Sequence, residues 1–383
     1  MTCDSYLYYH SIGQYPGKEQ ELAEAMAGFA QLWAACDNDQ WARMLEGRAE
    51  YVALWAGLID ADPAQVTAVE NVTAGLHAVI TALPERHLRG RTLLVAADCF
   101  PSLHFLLTGL APRLGFTLRT VPLRPGESWV SDEQVLDMWD ESVGLALLTQ
   151  VTSTSSHACD LERLMAHGRA MGSLMGVDIT QAAGLLPFSA RETGADFAVS
   201  TSLKWVCGTP GAGMLYVAPR ITGEAAPELR GWFSQPDPFN WDINAFSYAA
   251  DARRFDHGTP AMMGALASLP ALRWHAGQDR AALLAHTRDL CRELIAVMDR
   301  HGLALASPRE EARRGGSVMA RLAERFDPVA TVGALRDVGV ICDNRSAVLR
   351  FSPGVVTTAA GVARLDAALE EILTPARSAA PGS

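Results

Sequence analysis

The sequence predicts an α/β protein with a large domain on a mostly parallel sheet and a smaller α+β C-terminal domain. Two observations predict it. Up to about residue 260, short apolar runs bounded by turn residues alternate with longer amphipathic stretches, the pattern of strands joined by crossover helices. Beyond that point the texture changes to a long helix, a strand-like stretch and a final helix. The expected organisation is an N-terminal segment (1–30), a large domain (31–260), a small domain (261–375) and a frayed tail (376–383).

Taken in order, "TLLVAAD" (92–98), "VGLALLTQV" (143–151), "GSLMGVDIT" (172–180) and "ADFAVSTS" (195–202) have the length of buried strands. Between the second and third lies "DLERLMAHGRAMG" (160–172), a helix with Asp160 as N-cap and a glycine as its stop. Residues 278–302 read as a helix with Leu283, Leu290, Leu294 and Val297 on one face and Gly302 at its end. "GVICDNRSAVLRFSPG" (339–354) is strand-like, and a helix around 360–373 follows.

Composition narrows the function. Half the residues are apolar and a fifth are charged, as in a soluble globular protein. A net charge of −11 argues against nucleic acid or an anionic membrane as partner, and leaves room for a local anion pocket. The seven cysteines form no CxxC pair and are odd in number, which fits reduced thiols better than a disulfide frame or a zinc site. "MTCDSYLYYHSIG" lacks the basic and apolar regions of a signal peptide, and no run of bilayer length occurs. A cytoplasmic protein is expected. No strand-linked GxGxxG stands in the N-terminal half, against a dinucleotide-binding dehydrogenase.

The chemistry centres on "TSLKWVCGTPGAG" (201–213), where Lys204 sits among apolar neighbours before a glycine-rich turn. Taken alone it is a surface lysine or a covalent anchor. Asp178 ends the run "SLMGVDIT" and, taken alone, is a strand-end helix cap. The two lie 26 residues apart across one short helix-and-strand unit, so both can end neighbouring strands and face one crevice. A lysine for the Schiff base and an aspartate for the ring nitrogen are what pyridoxal 5'-phosphate needs from its protein.

"VDITQAAG" followed by "TSLKWVCGTPGAG" resembles the aminotransferase class V family, of pyridoxal-phosphate fold type I, and within it the kynureninases. "YYHSIGQYP" (8–16), "DNDQWARMLEGR" (37–48), "ENVTAGLHAVI" (70–80), "FPSLHF" (100–105), "RGWF" (230–233), "HGTP" (257–260) and "VLRF" (348–351) are similar to further family segments. The resemblance implies that the Val72 amide and Thr73 hydroxyl hold the cofactor phosphate at a helix start. Taken alone, Thr73 is an N-cap. It further implies that Phe100 stacks on the pyridine ring, with Ser102 and Thr149 adding hydroxyls, and that Gln181 donates to the phenolic oxygen. By the same resemblance Trp232 contacts the phosphate region and Thr259 reaches it from a partner subunit, so the expected protein is a homodimer with shared sites. Arg350 is the expected receptor of the substrate carboxylate, with Arg345 as rival.

Three departures bear on the reaction. Leu203 stands where kynureninases carry a tyrosine, Gln181 where many carry histidine, and Leu103 where the Phe-Pro-Ser-Asp motif has its acid. The expected activity is therefore a lyase cleaving the Cβ–S bond of a cysteine conjugate, with Lys204 removing the Cα proton. Kynureninase-type Cβ–Cγ hydrolysis, transamination or decarboxylation-coupled deamination in natural-product metabolism, and a noncatalytic binding homologue are the alternatives. Desulfurase chemistry would need an exposed nucleophilic cysteine, and Cys342 has the apolar flank of a packed strand residue.

Overall fold

A computed structural model describes residues 3–373. Helices α1 (Lys18–Trp33) and α2 (Gln40–Leu58) precede strand β1 (Val66–Val69). Then follow α3 (Val72–Ala82), β2 (Thr92–Ala96), α4 (Pro101–Leu114), β3 (Thr117–Val121), α5 (Asp132–Asp137), β4 (Val143–Thr149) and α6 (Leu161–Met171). The main sheet is completed through β5 (Leu174–Asp178), α7 (Ala190–Thr193), β6 (Phe197–Thr201) and β7 (Gly213–Val217). After α8 (Pro219–Thr222) and α9 (Met262–Ala276) come α10 (Arg280–Arg300), β8 (Ala304–Leu305) and β9 (Val318–Arg321). The last elements are α11 (Pro328–Asp337), β10 (Asp343–Arg345), β11 (Val348–Phe351) and α12 (Ala359–Leu373).

The seven-stranded sheet has the order β1-β7-β6-β5-β4-β2-β3. Neighbours from β6 to β3 pair parallel, and β7 alone runs against the rest. The four expected apolar runs are β2, β4, β5 and β6, all interior to this sheet. They read as continuous apolar runs because both faces are covered: Leu93 and Val95 enter one core cluster, and Leu94 between them enters the other. Helix α6 is bounded as the sequence predicts. Asp160 accepts the Arg163 amide at 3.1 Å, and Gly172 closes the helix at φ 70°.

A second core gathers Leu290, Leu294 and Val297 of α10, Leu365 and Leu369 of α12, and the four-stranded sheet β10-β11-β9-β8. Leu283 is only half-buried. Helix α9 falls within the stretch expected to form the small domain, yet it buries Ala265, Leu269 and Leu272 in the main core and packs on α2. The second core therefore begins with α10. The N-terminal segment reaches it as well, through Leu7 and through bridges from Tyr6 to Ile341 and Tyr8 to Ser352. The expected tail, 376–383, lies outside the described residues. No helix among the described residues is long and apolar enough to cross a membrane.

Candidate active site

Parallel strands present their carboxyl ends together, and the site lies there. Thr149 and Asp178 end β4 and β5 as direct ladder partners, and Lys204 follows the end of β6. They line a cavity of about 270 Å³ with Gln181. The start of α3 adds Val72 and Thr73 to its wall, and the start of α4 adds Phe100 and Ser102.

Helix α3 begins at Val72, so Val72 and Thr73 are its first helical residues. The cap is Asn71, not Thr73: its side chain accepts the Ala74 amide at 2.9 Å. The first amides of a helix have no acceptor within it, and at the positive end of the dipole they attract an anion. Across the cavity, the Phe100 ring centroid is 5.2 Å from the Lys204 Nζ.

Burial brings the Lys204 amine down to about 8, against the pull of Asp178, and Arg350 and Arg345 push the same way as burial. Burial raises the Asp178 carboxyl, opposed by Thr180, whose amide donates to Oδ1 at 2.9 Å, and by the Lys204 charge. A lysine near neutrality in its amine, beside a carboxylate and under an aromatic ring, is equipped to form a covalent bond to an aldehyde. Its backbone is held from outside. The Gly13 amide donates to the Leu203 carbonyl at 2.9 Å, and a Cβ at Gly13 would stand 1.9 Å from the Lys204 oxygen.

Gln181 is fixed in orientation. Its Nε2 donates to the His10 carbonyl at 2.9 Å, and its Oε1 accepts the Trp205 indole N–H at 3.0 Å. One amide N–H remains to donate elsewhere. Arg350 does not point into solvent. It is buried, and its Nε and Nη2 both donate to Asp343, the former at 2.7 Å. Arg345 is half-buried and donates to Ser153 Oγ at 3.2 Å. Cys342 is buried just ahead of β10 and its thiol is pushed up to about 12 by burial, so it is packed as its flank implies, though not within a strand.

Trp232 and Thr259 lie away from this cavity, and Thr259 is the residue expected to serve a partner's cofactor rather than its own. Trp232 packs among Trp41, Phe233 and Trp241, with ring centroids 5.4, 4.5 and 5.7 Å away. Thr259 lines a separate apolar depression of about 610 Å³ beside α1, α2 and α9. The turn "GTPGAG" places Thr209, Pro210 and Gly211 in that same depression. Sequence reasoning missed Asn71, whose signal was a cap residue before an apolar helix. It also missed Ser153, in the cavity wall, and His10, whose role depends on contacts more than 300 positions away.

Residues 41–365 match the profile of Aminotransferase class-V. The chain belongs to that family. It is a pyridoxal-phosphate-dependent enzyme with the type I fold. Among curated relatives, the kynureninase of Deinococcus radiodurans is 29% identical over 97% of this chain and 91% of its own length. That of Pseudomonas fluorescens is 27% identical over 90% and 83%. Among solved structures, the cystine C-S lyase C-DES in complex with cysteine persulfide superposes at a TM-score of 0.86. It is 20% identical, covering 96% of this chain and 98% of that one. The apo cysteine desulfurase of Thermococcus onnurineus gives 0.83 at 17% identity, covering 96% and 94%. At that identity these two establish the shared fold. The donors present suit the cofactor: helix amides for its phosphate, a carboxylate for its ring nitrogen, an amine for its aldehyde and an aromatic face for its ring.

Proposed function

We propose that this enzyme hydrolyses the Cβ–Cγ bond of an amino acid whose side chain is an aryl ketone, the kynurenine class. Kinship with kynureninases along nearly the whole chain carries the reading: 97% of it in the Deinococcus radiodurans comparison. The cavity supports it, because Leu103, Val151 and Leu203 give apolar surface beside Lys204 and Asp178, against which an aryl group packs.

Bound pyridoxal phosphate supplies an electron sink for bonds broken at the substrate's Cα. The chain's own residues do the remainder on this reading. The Val72 amide and the Thr73 hydroxyl hold the phosphate, with the Ser102 and Thr149 hydroxyls beside the ring. Asp178 keeps the proton on the ring nitrogen by its charge, Gln181 donates its remaining N–H to the phenolic oxygen, and Phe100 covers one ring face. Lys204 anchors the aldehyde and then, as a neutral amine, takes the Cα proton. In net terms water adds to the ketone carbon and the Cβ–Cγ bond breaks. Cβ keeps the electron pair and is protonated, giving alanine and an aryl carboxylate.

Leu203 in the cavity wall favours a second reading. A carbanion at Cβ needs an acid, which leucine cannot be, whereas a sulfur substituent leaves Cβ with its own electron pair. Cβ–S cleavage of a cysteine conjugate would release the thiol, and water would hydrolyse the remaining enamine to pyruvate and ammonia.

Trp232 and Thr259 are assigned to the cofactor of a second copy. The supporting observation is that α1 buries no residue, although its Leu22, Met26 and Phe29 line the apolar depression that holds Thr259. A second chain on that face would cover it and complete both sites.

The deciding experiment incubates purified holoenzyme with kynurenine and, separately, with S-substituted cysteines. Anthranilate and alanine from the first support the hydrolase. Pyruvate and ammonia from the second, with kynurenine untouched, move the assignment to the lyase. Borohydride reduction followed by peptide mass spectrometry tests the anchor, which should be a phosphopyridoxyl group on Lys204 alone.

A further inference from the structure

The amide of Gln181 is held on both sides, and both holds lead to one corner of the small domain. Its Oε1 accepts the Trp205 indole N–H at 3.0 Å, and its Nε2 donates to the His10 carbonyl at 2.9 Å. An indole nitrogen can only donate and a carbonyl can only accept, so the two partners permit one orientation of the amide. A single bond would leave a pivot. Two fix the plane of the amide and the direction of the N–H that remains.

Trp205 directly follows Lys204 and is buried. Its backbone is fixed: the carbonyl accepts from His275 Nε2 of α9 at 2.9 Å, and a Cβ at Gly184 would stand 2.8 Å from that same oxygen. The indole lies beside the Tyr9 ring, centroids 5.5 Å apart. Its far edge rests on Gly316, just ahead of β9, where a Cβ would stand 2.3 Å from the ring. The base of this side chain is thus in the turn that carries Lys204, and its tip is seated on the small domain.

The other hold runs to the next residue of the same corner. His10 Nδ1 meets Ser352 Oγ at 2.7 Å, and Ser352 Oγ meets Ser317 Oγ at 2.5 Å. Gly316 and Ser317 therefore stand behind the two anchors of Gln181, one by contact with the indole and one through hydrogen bonds. Gln181 itself lines the Lys204 cavity.

We propose that Trp205 is a positioning residue: it aims the free N–H of Gln181 at the cofactor's phenolic oxygen, and does so only while the small domain is seated at Gly316. The inference rests on the role given to Gln181 above, and it holds whichever side-chain bond of the substrate is cleaved. Its consequence is electrostatic. Negative charge on the phenolic oxygen retains a proton on the Lys204 nitrogen once that nitrogen is joined to the aldehyde. A donor aimed at the oxygen takes up part of that charge, so the proton leaves at lower pH.

The test follows the visible band of holoenzyme against pH in the wild type and three variants. Gln181→Leu removes the donor and should raise the midpoint by about one pH unit, the worth of a hydrogen bond to a charged group. Trp205→Phe keeps an aromatic ring, loses the N–H, and should raise it by about half a unit or more. Gly316→Ala crowds the indole from the small domain without removing a hydrogen-bonding group. It should shift the midpoint in the same direction, and it serves where Trp205→Phe does not fold. Asp178, Arg345, Arg350 and His10, the charged or titratable groups that act on Lys204 or feel it, keep their side chains throughout. No shift can then be a lost charge. A merely structural Trp205 would lower the melting temperature and leave the midpoint in place. A shift in Gln181→Leu with none in Trp205→Phe overturns the positioning role, and none in Gly316→Ala overturns its link to the small domain. A midpoint unmoved by Gln181→Leu overturns instead the role of Gln181 beneath it.

Discussion

The Gly13 amide donates to the Leu203 carbonyl at 2.9 Å, so the N-terminal segment closes directly on the turn that carries Lys204. The contact leaves no space for a side chain. A Cβ at Gly13 would lie 1.9 Å from the Lys204 oxygen and 2.7 Å from Cys207 Sγ. Gly13→Ala must push the segment or the turn away. It should cost about 1–3 kcal/mol, the usual range for overpacking, and displace the Lys204 amine, the proposed anchor of the cofactor. A lowered melting temperature together with a weakened visible band is the expected result. Gly28→Ala, where a Cβ meets nothing within 4 Å, is the control.

Lys204 sets a pH dependence whose sign follows from burial. Its amine loses its proton near pH 8 in the fold, against an ordinary value of 10.5. With Lys204 as the proposed anchor, only its neutral amine attacks the aldehyde, so uptake of pyridoxal phosphate by cofactor-free protein should quicken as pH rises through 8 and then level. Between 8 and 10.5 the unfolded chain binds the extra proton, so the stability of cofactor-free protein should rise with pH there relative to Lys204→Met. Asp178→Asn removes the charge that favours the ammonium form, and the uptake midpoint should fall below 8. Stopped-flow absorbance and paired denaturation curves measure both.

What was legible in the sequence was what depends on local pattern. Strands β2, β4, β5 and β6 stood out because burial on both faces leaves their runs mostly apolar, and Asp160 and Gly172 marked the ends of α6 by their own chemistry. Strand β3, "TLRTV", carries arginine and threonines because it is an edge, and it did not stand out. Asp178 and Lys204 were legible because each follows an apolar run. The commitment of Arg350 to Asp343 was not, since strand pairing decides it. Nor was the allegiance of α9, whose apolar residues suit either core and are drawn to the main one by contact with α2.

Sharing of the site between two copies predicts complementation. If Thr259 serves the partner's cofactor, Thr259→Ala weakens phosphate binding in the opposite site, while Lys204→Ala disables its own. A mixed dimer of the two single variants would place both lesions in one site and leave the other intact. Mixing two weak homodimers should then restore up to about half of one site's activity per dimer, lowering no barrier beyond wild type. A mixture no better than its components, or a protein that stays monomeric by light scattering, would falsify the shared arrangement.

Leu203 offers the sharpest way to separate the two reactions. It lies in the cavity wall next to the lysine, so a side chain at this position can reach atoms bound beside Lys204. A phenol there supplies a proton to a carbanion at Cβ, a gain specific to Cβ–Cγ cleavage. Positioned acids commonly contribute about 10²–10⁴-fold. Leu203→Tyr should therefore raise kynurenine turnover by roughly tenfold or more even with imperfect placement. Cβ–S cleavage expels its own electron pair, so the same variant should leave pyruvate release from cysteine conjugates level or lower it by crowding the cavity. Measuring kcat for both substrates in the one variant decides the matter. A rise confined to kynurenine supports the hydrolase, and a loss on kynurenine with conjugate cleavage retained assigns the protein to the lyases.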